Sequence, residues 1–557
     1  MPVPLLLVLL LAQSLADGLA KMQSNDFAGA AKILETVTAR EPGNGRAWRN
    51  LALAYEQLKE PVRAIEAYRH SLAVQPAMPG PLFQIARLYA GMGDSERAIE
   101  WLSQAKASHK IDLTQVEAAA EFATLKNDPR VKALLPKPSD FANPFLEPVK
   151  ILREWQGESA NDQFGWIARS IGDVDGDGIP DFVTSAPTKS IGGANAGRIY
   201  VYSTKSGKLL WSADGHPGDQ LGQGIEGAGD TNRDGIPDVI ASAPGAGKAY
   251  VYSGRDGRVL LTLSAEDPAD GFGRHVDGAG DVDHDGYADV LIGAPGNHAN
   301  TGAAYVYSGR DGKLLLRLAG ERAGDNFGSA VAAFKGKGST FLLAGAPKAG
   351  AARTGRVYVY GDLTGKPRFT IDPEESGQAL GAMFLSVPGD LDGDGVPDVF
   401  ASDWSDKAKG PSTGRIYVHS GKDGRRLFTL TGDTPAEGFG TSASMAGDVD
   451  GDGIPDLIIG AWQFAQEAQS GGRAYLHSGR TGQRLATYTC RIPGDTFGFD
   501  AVGMGDVDGD GAVDFLITSA WSGIHGFHSG RMFIISSGIP KSTSGVGFQP
   551  GGPQTGS

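Results

Sequence analysis

The spacing of apolar residues changes near residue 135 and divides the chain into two parts. Before this point, apolar and small residues recur at helical spacing within a 34-residue unit that occurs at 45–78 and 79–112. After this point, short runs rich in Val, Ile, Leu and Tyr alternate with turns rich in Gly and Asp, which predicts β-strands. The pattern therefore predicts an all-α part followed by an all-β part.

The repeated helical unit has small residues where the two helices of a pair approach each other. Ala52 and Ala64 leave room for a close crossing, and Tyr55 and Tyr68 fill the seam beside them. This period and this alternation resemble the tetratricopeptide repeat (TPR). The resemblance implies a TPR solenoid over residues 17–134, which either binds a peptide on its concave face or serves as a spacer.

Residues 1–16 support two interpretations. An apolar run from Leu5 to Leu11, followed by the possible cleavage site Ser14-Leu15-Ala16 with small residues at 14 and 16, predicts a signal peptide and hence a secreted, periplasmic or cell-surface protein. The alternative is that these residues form the first helix of the repeat stack. Because the run is too short to cross a bilayer, we expect no transmembrane span in the mature chain.

A Pro-rich linker at 135–148 is followed by a pattern that occurs seven times between residues 149 and 538. Each copy is 51 to 59 residues long, opens with Phe or Leu plus Gly, and continues with short apolar strands. Four short strands in each such copy are typical of the blades of a β-propeller. The seventh copy lacks its fourth strand, and residues 149–156 match that strand, so we expect them to complete blade seven and close the ring. The tail at 539–557 is rich in Gly, Ser and Pro and is expected to be disordered. The opening pairs are Phe164-Gly165, Leu221-Gly222, Phe272-Gly273, Phe327-Gly328, Leu380-Gly381, Phe439-Gly440 and Phe497-Gly498.

Six of the seven copies contain a loop with carboxylates at positions 1, 3, 5 and 9 and with Gly at position 6, apart from one Asn. Carboxylates packed this closely repel one another unless a cation lies among them. The Gly permits the sharp turn that brings the oxygens together, and the backbone carbonyl at position 7 adds a ligand. An all-oxygen, flexible site favours Ca²⁺ over transition metals. The loop is not an EF-hand, because Thr184 stands where that loop closes with Glu.

The six loops supply the candidate calcium ligands, with one structural ion expected in each loop and about six ions in total. In loop two, Asn232 replaces the carboxylate at position 3. In chain order, the candidates are Asp173, Asp175, Asp177, Ile179, Asp181, Asp230, Asn232, Asp234, Ile236, Asp238, Asp281, Asp283, Asp285, Tyr287, Asp289, Asp390, Asp392, Asp394, Val396, Asp398, Asp448, Asp450, Asp452, Ile454, Asp456, Asp506, Asp508, Asp510, Ala512 and Asp514.

The Phe-Gly pairs and the Asp loops together resemble the FG-GAP repeat of the N-terminal propeller of integrin α-subunits, over roughly 390 of the 557 residues. The resemblance implies that loops of this spacing bind calcium. It also implies that partner recognition uses the face of the ring opposite the metal loops. The expected fold is therefore multidomain, with a TPR solenoid and an all-β seven-bladed propeller with calcium loops.

The fourth copy breaks the loop pattern. Its equivalents of the carboxylate positions are Ala333, Lys335, Lys337 and Phe341, so we expect no metal there.

The net charge of the chain limits its possible partners, and its single cysteine limits the covalent bonds that could stabilise it. The formal net charge of −14 argues against nucleic acid as a partner. Six Ca²⁺ would add +12 and bring the total to about −2. Because Cys490 is the only cysteine, no intrachain disulfide is possible, and calcium is expected to replace that stabilisation.

Three tryptophans suggest where a ligand binds. Trp404, Trp462 and Trp521 end the second strands of blades five to seven, where blades one to four have Pro. Such large amphipathic side chains favour a patch that binds protein or glycan. Long loops that follow second strands, at 188–197, 405–414, 463–472 and 522–530, are expected on the same face.

These observations favour a calcium-dependent, extracytoplasmic binding or adhesion module rather than an enzyme. The sequence has no nucleophile elbow, phosphate loop or zinc-type His pair, and metal ions would occupy the lone pairs of the clustered Asp residues. Two alternatives stay open: a propeller-based hydrolase or lyase, and an intracellular scaffold that uses its TPR face.

Overall fold

The structure is a computed structural model that describes residues 14–336 and 339–540. The chain forms two compact units, Met1–Pro136 and Lys137–Ser557. The first unit is helical and the second consists of β-sheets, as the change in apolar spacing predicts.

The first unit is a stack of helical hairpins, which confirms the predicted TPR fold. Its core contains the small residues Ala52 and Ala64, both fully buried, with Tyr55 and Tyr68 beside them. The helices are α1 (Leu15–Gln23), α2 (Phe27–Arg40), α3 (Gly45–Gln57), α4 (Pro61–Val74), α5 (Gly80–Gly91), α6 (Ser95–Ala107), α7 (Gln115–Ala118) and α8 (Pro129–Leu134), with a 3₁₀ turn at Ala120–Phe122. The segment from Gln115 onward packs Phe122 and Val131 into this core.

Polar caps explain where several helices begin. The side chains of Asp26, Asn44 and Asp94 accept hydrogen bonds from backbone N–H groups in the first turns of α2, α3 and α6. Ser14 caps α1 in the same way. The predicted cleavage motif at 14–16 therefore coincides with the start of α1, while residues 1–13 lie outside the described residues.

Within the described residues the second unit contains seven four-stranded antiparallel sheets, the blades of the predicted propeller. The strand that precedes blade one is β1 (Ile151–Gln156). Blade one is β2 (Ala168–Gly172), β3 (Asp181–Ala186), β4 (Arg198–Tyr202) and β5 (Leu209–Asp214). Blade two is β6 (Ile225–Gly229), β7 (Asp238–Ala243), β8 (Lys248–Tyr252) and β9 (Val259–Ser264). Blade three is β10 (Val276–Gly280), β11 (Asp289–Ala294), β12 (Ala303–Tyr307) and β13 (Leu314–Ala319).

The remaining blades follow the same order. Blade four is β14 (Val331–Gly336), β15 (Ser339–Ala346), β16 (Arg356–Tyr360) and β17 (Pro367–Ile371). Blade five is β18 (Leu385–Gly389), β19 (Asp398–Asp403), β20 (Arg415–His419) and β21 (Arg426–Thr431). Blade six is β22 (Ala443–Gly447), β23 (Asp456–Ala461), β24 (Arg473–His477) and β25 (Arg484–Thr489). Blade seven contains β26 (Ala501–Gly505), β27 (Ala512–Ser519) and β28 (Arg531–Pro540).

Strand β1 is the fourth strand of blade seven. It pairs antiparallel with β28, where Glu154 lies opposite Phe533 and Trp155 opposite Met532. The first and last parts of the propeller therefore share one sheet, and the ring has no open edge between blades seven and one.

The apolar cores lie between neighbouring blades rather than within one blade. Leu291 and Val306 of blade three, for example, pack in one cluster with Leu342 and Tyr358 of blade four. The second strands are buried along their whole length because neighbouring blades pack against their faces. This explains why those strands read as continuous apolar runs.

The segment predicted as a linker, 135–148, is part of the propeller unit from residue 137 onward. Phe145 pairs with Cys490 at the end of blade six, and Leu146 N–H donates to the Thr489 carbonyl at 2.9 Å. Glu147 accepts a hydrogen bond from the Thr489 N–H at 2.6 Å. The linker assignment is therefore corrected: this segment, which also contains a 3₁₀ turn at Pro138–Phe141, covers the edge of blade six.

An arginine of blade seven that forms a buried ion pair also contacts the same segment. The Arg531 side chain is 1% exposed, and its Nη2 lies 2.9 Å from Oδ2 of Asp495, which is fully buried. Arg531 also donates to the Phe141 carbonyl at 3.2 Å. Breaking such a buried pair by removing one partner is strongly destabilising.

The final strand is longer than the sequence predicts. Strand β28 continues to Pro540, which lies opposite Ala512, so Ile539 and Pro540 are not part of a disordered tail. The rest of the predicted tail, 541–557, lies outside the described residues. Across the described ranges, none of the helices combines the length and hydropathy that a bilayer crossing requires.

We predict that Phe145→Ala lowers the free energy of unfolding of the propeller by about 3–4 kcal/mol, because it leaves a cavity in a packed core. The Phe145 ring centroid lies 4.8 Å from that of Phe497 and 5.5 Å from that of Phe533. Leu146→Ala is the matched control, because Leu146 is 53% exposed and its loss should change stability by less than about 0.5 kcal/mol. Urea denaturation in excess calcium measures both, and equal effects would show that the segment is only a linker.

Candidate metal centres and binding surface

Each carboxylate loop joins the first and second strands of its blade and begins after a β-bulge. In blade one the register between β2 and β3 shifts between Ser170 and Gly172, just before Asp173. The same shift occurs before the other five carboxylate loops, whereas the β14–β15 pair of blade four is regular. The bulge ends regular pairing and leaves the loop backbone free to turn its N–H groups toward the carboxylates.

Backbone hydrogen bonds orient the first carboxylate of each loop. In loop one, Asp173 accepts from the N–H groups of Gly176 at 2.7 Å, Asp177 at 3.1 Å and Gly178 at 2.8 Å. Gly178, at position 6, has φ +88°, a conformation that favours glycine. The turn therefore depends on the Gly at this position.

The carboxylate at position 9 is buried behind the loop and is the first residue of the second strand, except in blade seven, where Asp514 is the third residue of β27. Asp181 accepts from the N–H groups of Val174 at 2.9 Å and Asp175 at 3.2 Å, and from that of Thr204 at 3.1 Å. Burial raises the pKa of Asp181 to about 6, and the nearby charge of Asp175 adds to the rise. The pKa is raised to about 6 at Asp238, Asp289, Asp398 and Asp456 and to about 7 at Asp514.

Carboxylate oxygens converge in five of the six loops. One oxygen from each of three residues lies within 4.8 Å of the other two, and the groups are Asp173, Asp175 and Asp181; Asp281, Asp283 and Asp285; Asp390, Asp392 and Asp398; Asp448, Asp450 and Asp456; and Asp506, Asp508 and Asp514. In loop two, Asn232 takes the third position and donates to Asp238 at 3.4 Å. Four of the five groups include the buried carboxylate at position 9, whose pKa is raised. Crowded carboxylate oxygens of this kind fit a hard divalent cation.

In blade four, β14 and β15 pair in regular register from Val331, opposite Ala344, to Gly336, opposite Ser339. Ala333 and Lys335 lie in β14, and Phe341 lies in β15 with its side chain fully buried. Lys337 lies outside the described residues. Among the residues described there, no carboxylate occupies an equivalent position. That this blade binds no metal stays a prediction.

Two of the three predicted tryptophans belong to one aromatic cluster. The rings of Trp462 and Trp521 meet edge to face with centroids 4.7 Å apart, and Phe499 contacts both. Trp166 joins through Phe499 at 4.9 Å. In the part of the chain that the structure describes, Trp404 makes no ring contact with this cluster. We call Trp166, Trp462, Phe499 and Trp521 the aromatic cluster.

The aromatic cluster has unused hydrogen-bonding capacity. The indole N–H groups of Trp462 and Trp521 are buried, and neither has a hydrogen-bond partner among the described residues. A buried donor without a partner costs free energy, which an acceptor oxygen from a ligand would recover.

Sequence reasoning missed Trp166 and Phe499. Each directly follows a Phe-Gly pair, two residues before the first strand of blade one or blade seven begins. Blades one and seven are neighbours because the ring closes between them. An aromatic residue at this position in both blades could therefore have predicted the contact between Trp166 and Phe499.

A charged network lines a cavity of about 310 Å³ between the first strands of the blades. The Arg169 side chain forms ion pairs with Glu226 of blade two, at 2.6 Å, and with Asp500 of blade seven. Its guanidinium lies 5.7 Å from the ring centroid of Phe384 in blade five. No local sequence pattern marks these residues, because they are scattered along the chain.

Asp277 lies in the same cavity and accepts a hydrogen bond from the Ala333 N–H at 2.9 Å. Burial raises the pKa of Asp277 well above its usual range, and the charge of Glu226 adds to the rise. Burial also lowers the pKa of His275 to about 3, with help from Arg274 and Arg169. The cavity thus holds three carboxylates around one ion-paired guanidinium.

Comparisons with known families match both units. TPR family models match residues 15–79 and 80–107. The FG-GAP repeat model matches residues 164–202, 225–261 and 272–307, and an FG-GAP-like repeat model matches residues 390–459.

The similar curated proteins are integrin α-subunits. Integrin alpha-4 of Xenopus laevis is 30% identical over 251 residues, which cover 41% of this chain and 23% of that protein. Integrin alpha-PS5 of Drosophila melanogaster is 30% identical over 179 residues, covering 29% of this chain and 17% of that protein. This chain thus matches less than a quarter of the length of either relative. The crystal structure of MamA matches 18% of this chain and 61% of its own chain at 24% identity, but its TM-score of 0.17 supports no conclusion.

The class of protein follows from the fold, the loops and these matches. The chain carries TPR repeats followed by a seven-bladed FG-GAP propeller of the integrin-α type. Both are repeats of the kind that mediate protein interactions.

We predict that Asp277→Asn stabilises the protein at pH 8 by about 1 kcal/mol and leaves its stability at pH 4 unchanged. Because its pKa is raised, Asp277 keeps a proton in the folded state at pH values where the unfolded chain has lost it. The free energy of unfolding therefore falls as the pH rises above the pKa of Asp277 in the unfolded chain. The charged and titratable neighbours that line the same cavity, Arg169, Glu226, His275 and Asp500, stay unchanged. Thermal unfolding across this pH range measures the effect; Asp256→Asn, at a side chain 53% exposed, is the control. A variant less stable than the wild type at pH 8 would contradict the prediction.

Proposed function

We propose that this protein is an extracytoplasmic, calcium-binding module that binds a protein or glycan through the propeller face opposite its metal loops. The observation that carries the proposal is the convergence of carboxylate oxygens in loops of one spacing around the ring. The TPR unit would add a second interaction surface, with a peptide as the expected ligand on its concave face.

The calcium proposal is supported by the donor set and by its preorganisation. In loop one, Asp173, Asp175, Asp177 and Asp181 with the Ile179 carbonyl would hold one ion; the other five loops would use the equivalent residues. Hydrogen bonds from the loop backbone already point the first carboxylate, so binding requires little ordering of the chain. When bound, the ion would neutralise charges that otherwise repel one another.

The location follows from the same chemistry. Cytosolic free calcium is too low to fill sites of moderate affinity, whereas extracellular modules bind calcium with dissociation constants on the order of 10⁻⁴–10⁻³ M. A protein whose propeller needs six such ions is therefore better suited to a compartment outside the cytoplasm.

The ligand proposal is supported by the aromatic cluster. Trp462 and Trp521 follow the second strands of their blades, which begin at the metal loops, so the cluster lies at the far ends of those strands. Partly exposed aromatic rings and unpartnered N–H donors suit the apolar faces and hydroxyl or carbonyl oxygens of a glycan or a peptide.

We predict that calcium raises the melting temperature of the full chain and that zinc at the same concentration does not. Asp173→Ala should lose about 2–3 kcal/mol of the calcium-dependent stabilisation, the contribution of one site near saturation. The matched control is Asp423→Ala, at an Asp that is 56% exposed and outside the loops. Differential scanning calorimetry with and without chelator measures these effects. An unchanged melting temperature on calcium addition would refute the proposal.

We predict that Trp521→Ala weakens binding to the ligand found in a glycan and protein array screen by about 30-fold, the effect of losing a central aromatic contact. Trp404→Ala is the control, because Trp404 ends a second strand but lies outside the aromatic cluster. Binding of calcium-loaded protein measures both variants. Equal losses, or none for Trp521→Ala, would exclude the cluster as the recognition site.

A further inference from the structure

A basic side chain lies beside each carboxylate loop. In blades one, two, three, five and six it comes from the same place, three residues after the end of the third strand. The contacts are Lys205 Nζ to the Asp177 carbonyl at 2.7 Å, Arg255 to Asp234 at 3.3 Å, Arg310 to Asp285 at 3.9 Å, Lys422 to Asp394 at 3.8 Å and Arg480 to Asp452 at 2.6 Å.

Blade four shows that this basic residue accompanies the carboxylates. Its equivalent position is Leu363, which packs against the core between blades three and four. The one blade without a carboxylate loop therefore also has no cation at this position. The pairing is electrostatic and is not a general feature of the turn.

Blade seven obtains its cation from elsewhere. Its third strand, β28, runs on without that turn, and the equivalent position is Gly538. Lys150, directly before β1, supplies the cation beside loop seven. Its Nζ lies 2.7 Å from Asp508 Oδ2 and 2.6 Å from Asp510 Oδ2. The Lys150 carbonyl accepts from the Ser536 N–H at 3.0 Å, so the pairing that closes the ring also positions this lysine.

We propose that Lys150 is a built-in competitor for the cation of loop seven, so that calcium binds this loop more weakly than loop one. The inference rests on the proposed calcium binding. Asp508 and Asp510 hold positions 3 and 5 of the loop, and the ammonium group engages both. In loop one the Lys205 ammonium contacts a backbone carbonyl and leaves the carboxylate oxygens available.

The competition is modest and reversible because the groups are accessible to water. The Lys150 side chain is 53% exposed, and those of Asp508 and Asp510 are 30% and 37% exposed. Exposed ion pairs of this kind change an equilibrium by a factor of about two to five. Removing the ammonium should therefore tighten calcium binding at loop seven without disturbing the fold.

Hydrogen–deuterium exchange of the full chain tests this locally. Calcium is titrated, and the midpoint of protection is compared for peptides that cover loop one (173–181) and loop seven (506–514). In the wild type we expect loop seven to be protected at a higher calcium concentration. Lys150→Met should lower its midpoint about threefold and leave that of loop one unchanged.

Two further measurements separate the possible outcomes. Lys205→Met is the matched control and should leave the midpoint of loop seven unchanged, whereas 1 M salt should reduce the difference between wild type and Lys150→Met. If both loops are protected at one concentration and Lys150→Met moves neither, the competitor role is wrong and calcium binding stands. If calcium protects neither loop in the wild type, the proposed function itself fails.

Discussion

Repulsion between carboxylates that lie close together is the physical constraint on which the structure of the propeller loops depends. In five of the six loops, three Asp side chains have oxygens within a few ångströms of one another, as in Asp173, Asp175 and Asp181. Three features of the chain reduce the effect of this charge: N–H groups from the loop backbone, at least one Lys or Arg beside each loop, and burial that favours the protonated form of the innermost Asp. These responses reduce the repulsion but do not cancel it, and a divalent ion is the group that would.

The loops depend in turn on the packing behind them. A bulge before each loop ends regular strand pairing, and the buried second strand holds the Asp at position 9 of the loop. Because the cores lie between blades, the position of one loop is tied to the next blade around the ring. Blade four shows the alternative: with the carboxylates replaced, bulge, loop and basic residue are all absent from its described residues, and β14 and β15 pair in regular register.

Local patterns made much of this predictable from sequence. The Phe-Gly pairs set the number of blades, and the missing fourth strand of the last copy indicated how the ring closes. What could not be read in this way depends on contacts between distant residues. The association of Trp166 with Phe499, and of Arg169 with Asp500, exists only because closure makes blades one and seven neighbours. Phe145 stands in a Pro-rich stretch whose pairing with Cys490 leaves no periodic signal. The identity of the bound ion and the ligand of the aromatic cluster stay predictions.

The pairing of β1 with β28 also governs how the molecule is assembled. A ribosome makes Ile151–Gln156 before any blade and makes its partner strand, Arg531–Pro540, after all the others. Strand β1 therefore stays unpaired while the rest of the ring is synthesised. Its pairing with β28 joins residues far apart in the sequence, and contacts of such long range form slowly. During that interval β1 of one chain is available to the unfilled seventh sheet of another. High local concentrations of nascent chains would therefore favour strand-exchanged dimers, in which each copy completes the ring of the other.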